Sequence, residues 1–184
     1  MARGVTLVTG GIRSGKSRHA EALVSGASDV VYVATGPRDQ GSDAEWTRRL
    51  SAHRERRPSS WRVLETLDVA GVVAAEDGVV IVDCLGTWLT GLVDEGNVWD
   101  DLDSASDLVG AAVDVLRDAL TTTRARVVVV TNEVGFAPVA TTPAGRWFQE
   151  ELGRLNAAVA ALAERVHLVV AGRIVDLTDA PVVR

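Results

Sequence analysis

Short apolar runs alternate along this chain with longer stretches in which apolar residues recur every three or four positions. The short runs are rich in valine and end at polar residues, glycine or proline, which is typical of strands buried on both faces of a parallel sheet. We predict strands at residues 5–8, 30–34, 79–82, 127–130 and 168–171.

The stretches between these runs have helical periodicity. The predicted helices cover residues 18–24, 43–57, 85–93, 102–120 and 145–165. Because strands that alternate with helices form a parallel sheet covered on both faces, we predict an α/β fold with a mostly parallel sheet. No repeat, low-complexity tract or long linker divides the 184 residues, so a single domain over residues 1–184 is expected.

The first predicted strand leads into a glycine-rich loop and then into a helix. The loop has the sequence of a P-loop, Gly10-Gly11-Ile12-Arg13-Ser14-Gly15-Lys16-Ser17, in the strand-to-helix setting that this motif requires. Glycines let several backbone N–H groups surround a polyphosphate, and the helix N-terminus adds partial positive charge. We therefore predict that these eight residues bind a nucleotide, that Lys16 contacts its β- and γ-phosphates, and that Ser17 ligates Mg²⁺.

Lys16 is also unusual in the composition, since it is the only lysine among 19 lysine and arginine residues. A compact, flexible ammonium group is not replaced by the wide planar guanidinium of arginine. The retention of lysine at this position favours the P-loop interpretation over a glycine-rich turn that binds no ligand.

Asp83 follows the strand at residues 79–82 and precedes a predicted helix. Four apolar residues that deliver one carboxylate to the end of a strand form the Walker B pattern, in which the carboxylate reaches the metal beside Ser17. The alternative is that Asp83 is the N-cap of the helix, and the two roles are compatible.

Residues 83–86 also fit the D-x-x-G pattern of regulatory GTPases, which would make the chain a switch protein. Those proteins usually read guanine through an N-K-x-D element. This chain cannot contain that element, because its only lysine is already in the P-loop.

Asn132 and Glu133 follow the strand at residues 127–130 and are expected at the same edge of the sheet. Glu133 could act as a base or orient a water or a substrate hydroxyl. An exposed loop carboxylate is equally compatible with the spacing.

An arginine-rich segment occupies residues 43–61. As a helix it would place Arg49, His53 and Arg57 on one stripe at successive i+4 steps, and five arginines lie between residues 48 and 57. Because clustered like charges repel, an anion such as a triphosphate is the expected partner. The arginines would also favour the neutral imidazole of His53, which could attack an α-phosphorus; a packing or surface role for His53 is equally compatible with the spacing.

The composition is that of a globular protein, with 47% hydrophobic and 24% charged residues. The net charge of −6 argues against a nucleic-acid partner, because phosphate-backbone binding needs a basic face. Cys84 is the only cysteine, which fits a reducing compartment. With no signal-peptide pattern and no run near the roughly 20 apolar residues of a membrane helix, we expect a cytoplasmic protein without a membrane span.

Several motifs combine in this chain. The P-loop is preceded by Leu7-Val8-Thr9 and followed by Arg18, and the arginine-rich segment reads D-A-E-W at residues 43–46, R-L-S-A-H at 49–53 and R-P-S-S-W at 57–61. Further motifs are Asp83-Cys84-Leu85, Thr131-Asn132-Glu133-Val134-Gly135, and the spaced set Arg146, Phe148, Gly153 and Asn156. Over residues 7–172 the combination resembles the bifunctional adenosylcobinamide kinase/adenosylcobinamide-phosphate guanylyltransferases of cobalamin biosynthesis. The chain departs from their pattern at Trp46, at residues 137–140 and after Gly172.

The resemblance implies a P-loop α/β fold like that of recombinase-type ATPases, often assembled as a homotrimer. It implies two reactions in one active-site region: phosphorylation of the cobinamide aminopropanol hydroxyl, and then transfer of GMP from GTP through a guanylylated histidine. His53 stands at the position of that histidine. The residues Thr35, Arg54, Arg57 and Glu65 stand where the family contacts guanine nucleotide. The implied cofactor is Mg²⁺, and the implied substrates are a corrinoid and GTP, with ATP or GTP as phosphate donor.

Two other functions fit the motifs. One is another P-loop small-molecule kinase, in which His53 forms no covalent bond, so that incubation with GTP adds no GMP to the protein. The other is a nucleotide-dependent switch or assembly protein, which would not turn over cobinamide.

Overall fold

The computed structural model describes residues 4–36 and 58–183, and a seven-stranded sheet lies at its centre. The strands are β1 (Gly4–Gly10), β2 (Val30–Ala34), β3 (Arg62–Glu65), β4 (Val79–Asp83), β5 (Arg126–Val130), β6 (Arg165–Val170) and β7 (Arg173–Asp176). Their order is β3-β2-β4-β5-β1-β6-β7. All neighbouring strands are parallel except β6 and β7, which confirms the mostly parallel sheet.

Helices cover both faces of this sheet, as predicted. Those in the described part of the chain are α1 (Lys16–Leu23), α2 (Val69–Ala75), α3 (Leu85–Gly96), α4 (Leu102–Thr122) and α5 (Pro143–Ala160). On one face, Ala20 of α1 packs with Val8 and Ile81 from the strands. On the other face, α2 to α5 pack against strand residues such as Leu7 and Val82. Alternate residues of each strand therefore enter two separate cores.

Three of the helices begin at a side-chain N-cap. Asp68, Asp101 and Thr142 precede α2, α4 and α5, and each accepts a hydrogen bond from a backbone N–H in the first turn. Short polar side chains satisfy the otherwise unpaired N–H groups of a first turn. Pro143 then suits the first turn of α5, where it has no hydrogen bond to lose.

The prediction of a helix over residues 145–165 is wrong at its C-terminal end. α5 ends at Ala160, and Arg165 is the first residue of β6. Arg165 pairs with Thr6 of β1, so strand pairing outweighs the good helix propensity of Glu164 and Arg165.

The sequence pattern also misses β3, α2 and β7. β3 and β7 are four residues long and form the two edges of the sheet, where exposure removes the continuous apolar run of a central strand. The helix predicted at residues 43–57 lies outside the described residues. Within residues 4–36 and 58–183, no helix has both the length and the apolar character needed to cross a membrane.

Candidate active site

The P-loop joins the carboxyl end of β1 to the N-terminus of α1. Gly15 is the N-cap of α1 and has φ 102°, a left-handed conformation that glycine adopts at little cost. A Cβ on Gly10 would lie 2.5 Å from the backbone oxygen of Val169, so only glycine lets β1 and β6 approach here. The loop's conformation therefore depends on these two glycines.

Two neighbouring segments hold the P-loop by backbone hydrogen bonds. Glu133 N donates to Gly10 O at 3.1 Å from the segment that follows β5, and Gly172 N donates to Ser14 O at 3.1 Å from the turn between β6 and β7. Gly172 has φ 73°. The loop is thus supported on both sides of β1 in a defined shape, as a phosphate-binding loop must be.

Lys16 and Ser14 place polar groups inside the loop. Lys16 is 7% exposed, and its Nζ donates to Gly11 O at 3.3 Å. Within the described residues, the buried Oγ of Ser14 has no hydrogen-bond partner. A buried donor that lacks a partner is costly, so the loop offers both a cation and a hydroxyl that a phosphate can satisfy. Ile12 and Arg13 lie at the exposed tip of the loop.

Asp83 ends β4 and lies opposite Ala34 of β2 and Val130 of β5. Its carboxylate accepts a hydrogen bond from the phenol of Tyr32 at 2.5 Å. The N-cap of α3 is Cys84 and not Asp83, so the interpretation of Asp83 as a helix cap is wrong. Because β5 separates β4 from β1, Asp83 stands two strands away from the P-loop at the same edge of the sheet.

The Cys84 thiol lies among these charged groups. Burial raises its pKa most, and the negative charge of Asp83 raises it further, while hydrogen bonds with Thr87 and the positive charge of Lys16 oppose the shift. Asp83 and Lys16 therefore both lie within electrostatic reach of the same sulfur atom. Lys16 and Asp83 both influence the pKa of this thiol and lie at the same edge of the sheet.

Thr35 directly follows β2 and Glu65 ends β3, and these two adjacent strands lie on the other side of β4. Thr35 Oγ1 is buried, 2.7 Å from Cys84 O and 2.8 Å from Thr87 Oγ1. Its hydroxyl thus ties β2 to the start of α3 inside the protein. Glu65 is exposed and lies opposite Ala34 in the β2–β3 register. The predicted nucleotide contacts of both residues remain predictions, and His53, Arg54 and Arg57 lie outside the described residues.

A buried polar network supports the segment after β5. Thr131 Oγ1 donates to Asn156 Oδ1 at 2.6 Å, and Asn156 Nδ2 donates to Asn132 O at 3.0 Å. Thr131 is fully buried. Asn156 of α5 therefore fixes the backbone that carries Glu133 to the P-loop, and Glu133 itself accepts a hydrogen bond from Gly135 N at 3.3 Å.

Residues 6–177 match the family model described as cobinamide kinase / cobinamide phosphate guanyltransferase. The chain belongs to this family. The resemblance inferred from the motifs is thereby confirmed.

Two curated members of the family are similar over most of their length. The bifunctional adenosylcobalamin biosynthesis protein CobU of Escherichia coli strain K12 is 39% identical over 175 residues, which cover 90% of this chain and 95% of that protein. CobU of Salmonella typhimurium strain LT2 is 38% identical over 178 residues, with the same coverage.

A solved structure shares the fold at low sequence identity. An ATPase from the type III secretion system of pathogenic bacteria aligns with a TM-score of 0.52 and 10% identity, over 90% of this chain and 50% of that one. The P-loop α/β fold predicted from the sequence is confirmed by this likeness together with the seven-stranded sheet.

The donor set of the site fits the Mg²⁺ that P-loop chemistry uses. The hydroxyl of Ser17 and the carboxylate of Asp83 are hard oxygen donors, which Mg²⁺ prefers. Among the described residues, no three or more His, Cys, Asp or Glu side chains form a group that could hold a metal ion alone.

Sequence reasoning missed several contacts in and around the site. Tyr32 is the only tyrosine and interrupts an aliphatic strand, a signal that could have marked it. Gly172 could not be linked to the P-loop without knowing that β6 pairs with β1. His19 and His167 are also paired, with Nε2 of the first 2.9 Å from Nδ1 of the second. Burial, and then the proximity of His167, lowers the pKa of His19.

Proposed function

We propose that this protein phosphorylates the hydroxyl of adenosylcobinamide and then transfers GMP from GTP to the resulting phosphate, giving adenosylcobinamide-GDP. The observation that carries the proposal is the P-loop with its buried Lys16 at the same edge of the sheet as Asp83, in a chain that matches the family over residues 6–177. The CobU relatives are named as bifunctional.

In the kinase step, the backbone N–H groups of the P-loop and the N-terminus of α1 hold the phosphates of the donor. Lys16 places its ammonium group on the β- and γ-phosphates, where charge develops during transfer. Mg²⁺, when bound, neutralises further charge on the same phosphates. Ser17 and Asp83 are its proposed protein ligands.

In the transfer step, a ring nitrogen of His53 attacks the α-phosphorus of GTP and expels pyrophosphate, forming a phosphoramidate bond. An oxygen of the corrinoid phosphate then attacks the same phosphorus, and the P–N bond breaks to release His53. The arginines beside His53, including Arg54 and Arg57, would hold the triphosphate during this step.

The substitution His53→Ala tests whether His53 is needed for GMP transfer and not for phosphorylation. Phosphorylation of cobinamide needs no covalent intermediate and should be largely retained, whereas covalent GMP on the protein and formation of the GDP-corrinoid should both be lost. Intact-mass measurement after incubation with GTP and separate assays of the two products check this.

The matched control is His19→Asn, since His19 contacts His167 within the described fold. This variant should still acquire GMP. A His53→Ala protein that still carries GMP would place the nucleophile elsewhere, and loss of both activities in a folded protein would make His53 a shared binding residue. A phosphoramidate should also be labile in acid and persist in alkali.

A homotrimer, a cytoplasmic location and the lack of a nucleic-acid partner stay predictions from the sequence and the resemblance. So does the choice between ATP and GTP as the phosphate donor.

A further inference from the structure

Tyr32 is a buried polar residue that touches the proposed metal ligand. It is 1% exposed, and its Oη donates to Asp83 Oδ2 at 2.5 Å. In the β2–β4 register, Tyr32 lies opposite Ile81, and Asp83 lies two residues further along β4. Side chains two apart on a strand share a face, so Tyr32, Ile81 and Asp83 are all on the face that α1 covers.

The ring of Tyr32 is held by a second aromatic side chain. Trp61 is 7% exposed and stacks on Tyr32, with ring centroids 6.4 Å apart and an interplanar angle of 23°. Trp61 N in turn donates to Pro58 O at 3.0 Å. Packing on both the ring and its partner restricts rotation of the tyrosine side chain.

A phenol fixed in this way restricts the carboxylate that accepts from it. A ligand carboxylate free to rotate loses orientational entropy when it binds a cation, and a hydrogen bond from a packed neighbour removes that cost in advance. We propose that Tyr32 is a positioning residue, which holds the Asp83 carboxylate in the orientation that coordinates Mg²⁺. This inference rests on the proposed role of Asp83 in the kinase step.

The substitution Tyr32→Phe removes the phenol and keeps the ring that stacks on Trp61. Mg²⁺ is titrated by calorimetry into the protein with α,β-methylene-GTP, whose α–β bond cannot be cleaved, in the absence of corrinoid. The half-saturating Mg²⁺ concentration should rise roughly tenfold, a typical effect for the neighbour of a metal ligand. Affinity for the nucleotide without Mg²⁺ should stay within about twofold of wild type, because Tyr32 acts only through the cation site.

The control for packing is Trp61→Phe, which loosens the stack and retains the phenol. Its effect on Mg²⁺ binding should be smaller than that of Tyr32→Phe. An equal or larger effect, an unchanged Mg²⁺ requirement in Tyr32→Phe, or a matching loss of Mg²⁺-free nucleotide affinity would each overturn the proposal in favour of a purely structural role.

A double-mutant cycle separates this inference from the proposed function. In the Asp83→Asn background, Tyr32→Phe should produce no further change in Mg²⁺ affinity, because the charged carboxylate that Tyr32 orients is already replaced, even though the amide oxygen of Asn can still accept from the phenol. If Asp83→Asn weakens Mg²⁺ binding and Tyr32→Phe does not, only the role of Tyr32 is overturned. If Asp83→Asn itself has no effect, the metal role of Asp83 and the positioning role of Tyr32 both fail.

The single tyrosine of the chain also supplies a direct reporter. Protein labelled with ¹³C at tyrosine Cζ should give one resonance, which shifts when Mg²⁺ is added to the nucleotide complex of the wild-type protein and stays in place in Asp83→Asn. An unmoved resonance in the wild-type protein would contradict the contact between Tyr32 and the cation site.

Discussion

Asp83 has contacts that suit a metal ligand better than a helix cap. The cap position of α3 belongs to Cys84, and the Asp83 carboxylate faces the phenol of Tyr32. A carboxylate used only as a cap would accept hydrogen bonds from the first-turn N–H groups, as Asp68 does from Gly71 at 2.9 Å. The geometry therefore argues against a cap and is compatible with the proposed role of Asp83 as a ligand of Mg²⁺.

The substitution Asp83→Asn should raise the Mg²⁺ concentration needed for cobinamide phosphorylation and leave the fold intact. The amide keeps the volume and loses the charge that a hard cation prefers, so a shift of roughly tenfold or more is expected. Activity is measured across a Mg²⁺ titration. Asp77→Asn is a suitable control, because Asp77 forms an exposed ion pair with Arg124 at 2.8 Å. Superimposable titrations for Asp83→Asn and wild type would remove Asp83 from the metal site.

At the level of single residues, the sequence predicts the candidate catalytic side chains better than it predicts the contacts that support them. Lys16 and Asp83 are recognisable because each belongs to a local motif with a fixed spacing. Tyr32 and Asn156 act through residues 51 and 25 positions away, and no local pattern records such distant contacts. The resemblance implies a nucleotide contact for Thr35, which stays a prediction; what the structure adds is that its hydroxyl contacts Cys84 and Thr87.

Among the elements, the junction of β1 with β6 sets the shape of the P-loop. Gly10 pairs with Val169 in the β1–β6 register, and the turn after β6 donates to Ser14 O through Gly172 N. The hairpin of β6 and β7 thus supports the P-loop through backbone contacts. Because only Gly10 is packed against β6, substitution of Gly10 and of its neighbour Gly11 should have different effects on stability.

Gly10→Ala should destabilise the protein, whereas Gly11→Ala should not. A Cβ on Gly10 would meet Val169 O at 2.5 Å and Ser14 Oγ at 2.7 Å, while one on Gly11 would meet nothing within 4 Å. Overpacking of this kind costs about 1–3 kcal/mol, and an unobstructed surface change stays within about 0.5 kcal/mol. Unfolding is measured in denaturant without nucleotide. Equal free energies of unfolding for the two variants would show that β1 and β6 can move apart at Gly10 without loss of stability.

The elements best predicted from the sequence are the central ones. The strand predicted at residues 30–34 has the observed bounds Val30–Ala34, because a strand buried on both faces needs an uninterrupted apolar run. β7 has four exposed residues and exists because β6 offers an open edge. No continuous apolar run marks this edge strand in the sequence. A different pairing, of Arg165 in β6 with Thr6 in β1, shortens the helix predicted over residues 145–165.

At the scale of the whole molecule, two reactions must use one nucleotide-binding loop. The chain has a single P-loop sequence and a single lysine. Phosphoryl transfer breaks the bond to the γ-phosphorus of its donor, whereas GMP transfer breaks the bond between the α-phosphorus and the β-phosphate of GTP. If a triphosphate bound at this one loop is the donor in both reactions, both depend on the same contacts to the nucleotide and differ in the group that attacks it.

We therefore predict one nucleotide site per chain, with Lys16 needed for both activities. Calorimetry with α,β-methylene-GTP should give one nucleotide bound per chain. Lys16→Ala should reduce cobinamide phosphorylation by roughly 100-fold or more, since it removes a cation aimed at the charge that develops on the phosphates. It should also abolish covalent GMP, because a triphosphate that is not held by the loop does not present its α-phosphorus to His53.

The control Arg124→Ala removes an exposed cation that pairs with Asp77 and should leave both activities unchanged. Two nucleotides per chain, or a Lys16→Ala protein that still acquires GMP, would show that the guanylyl donor occupies a second site and that the two reactions are separate in space as well as in chemistry.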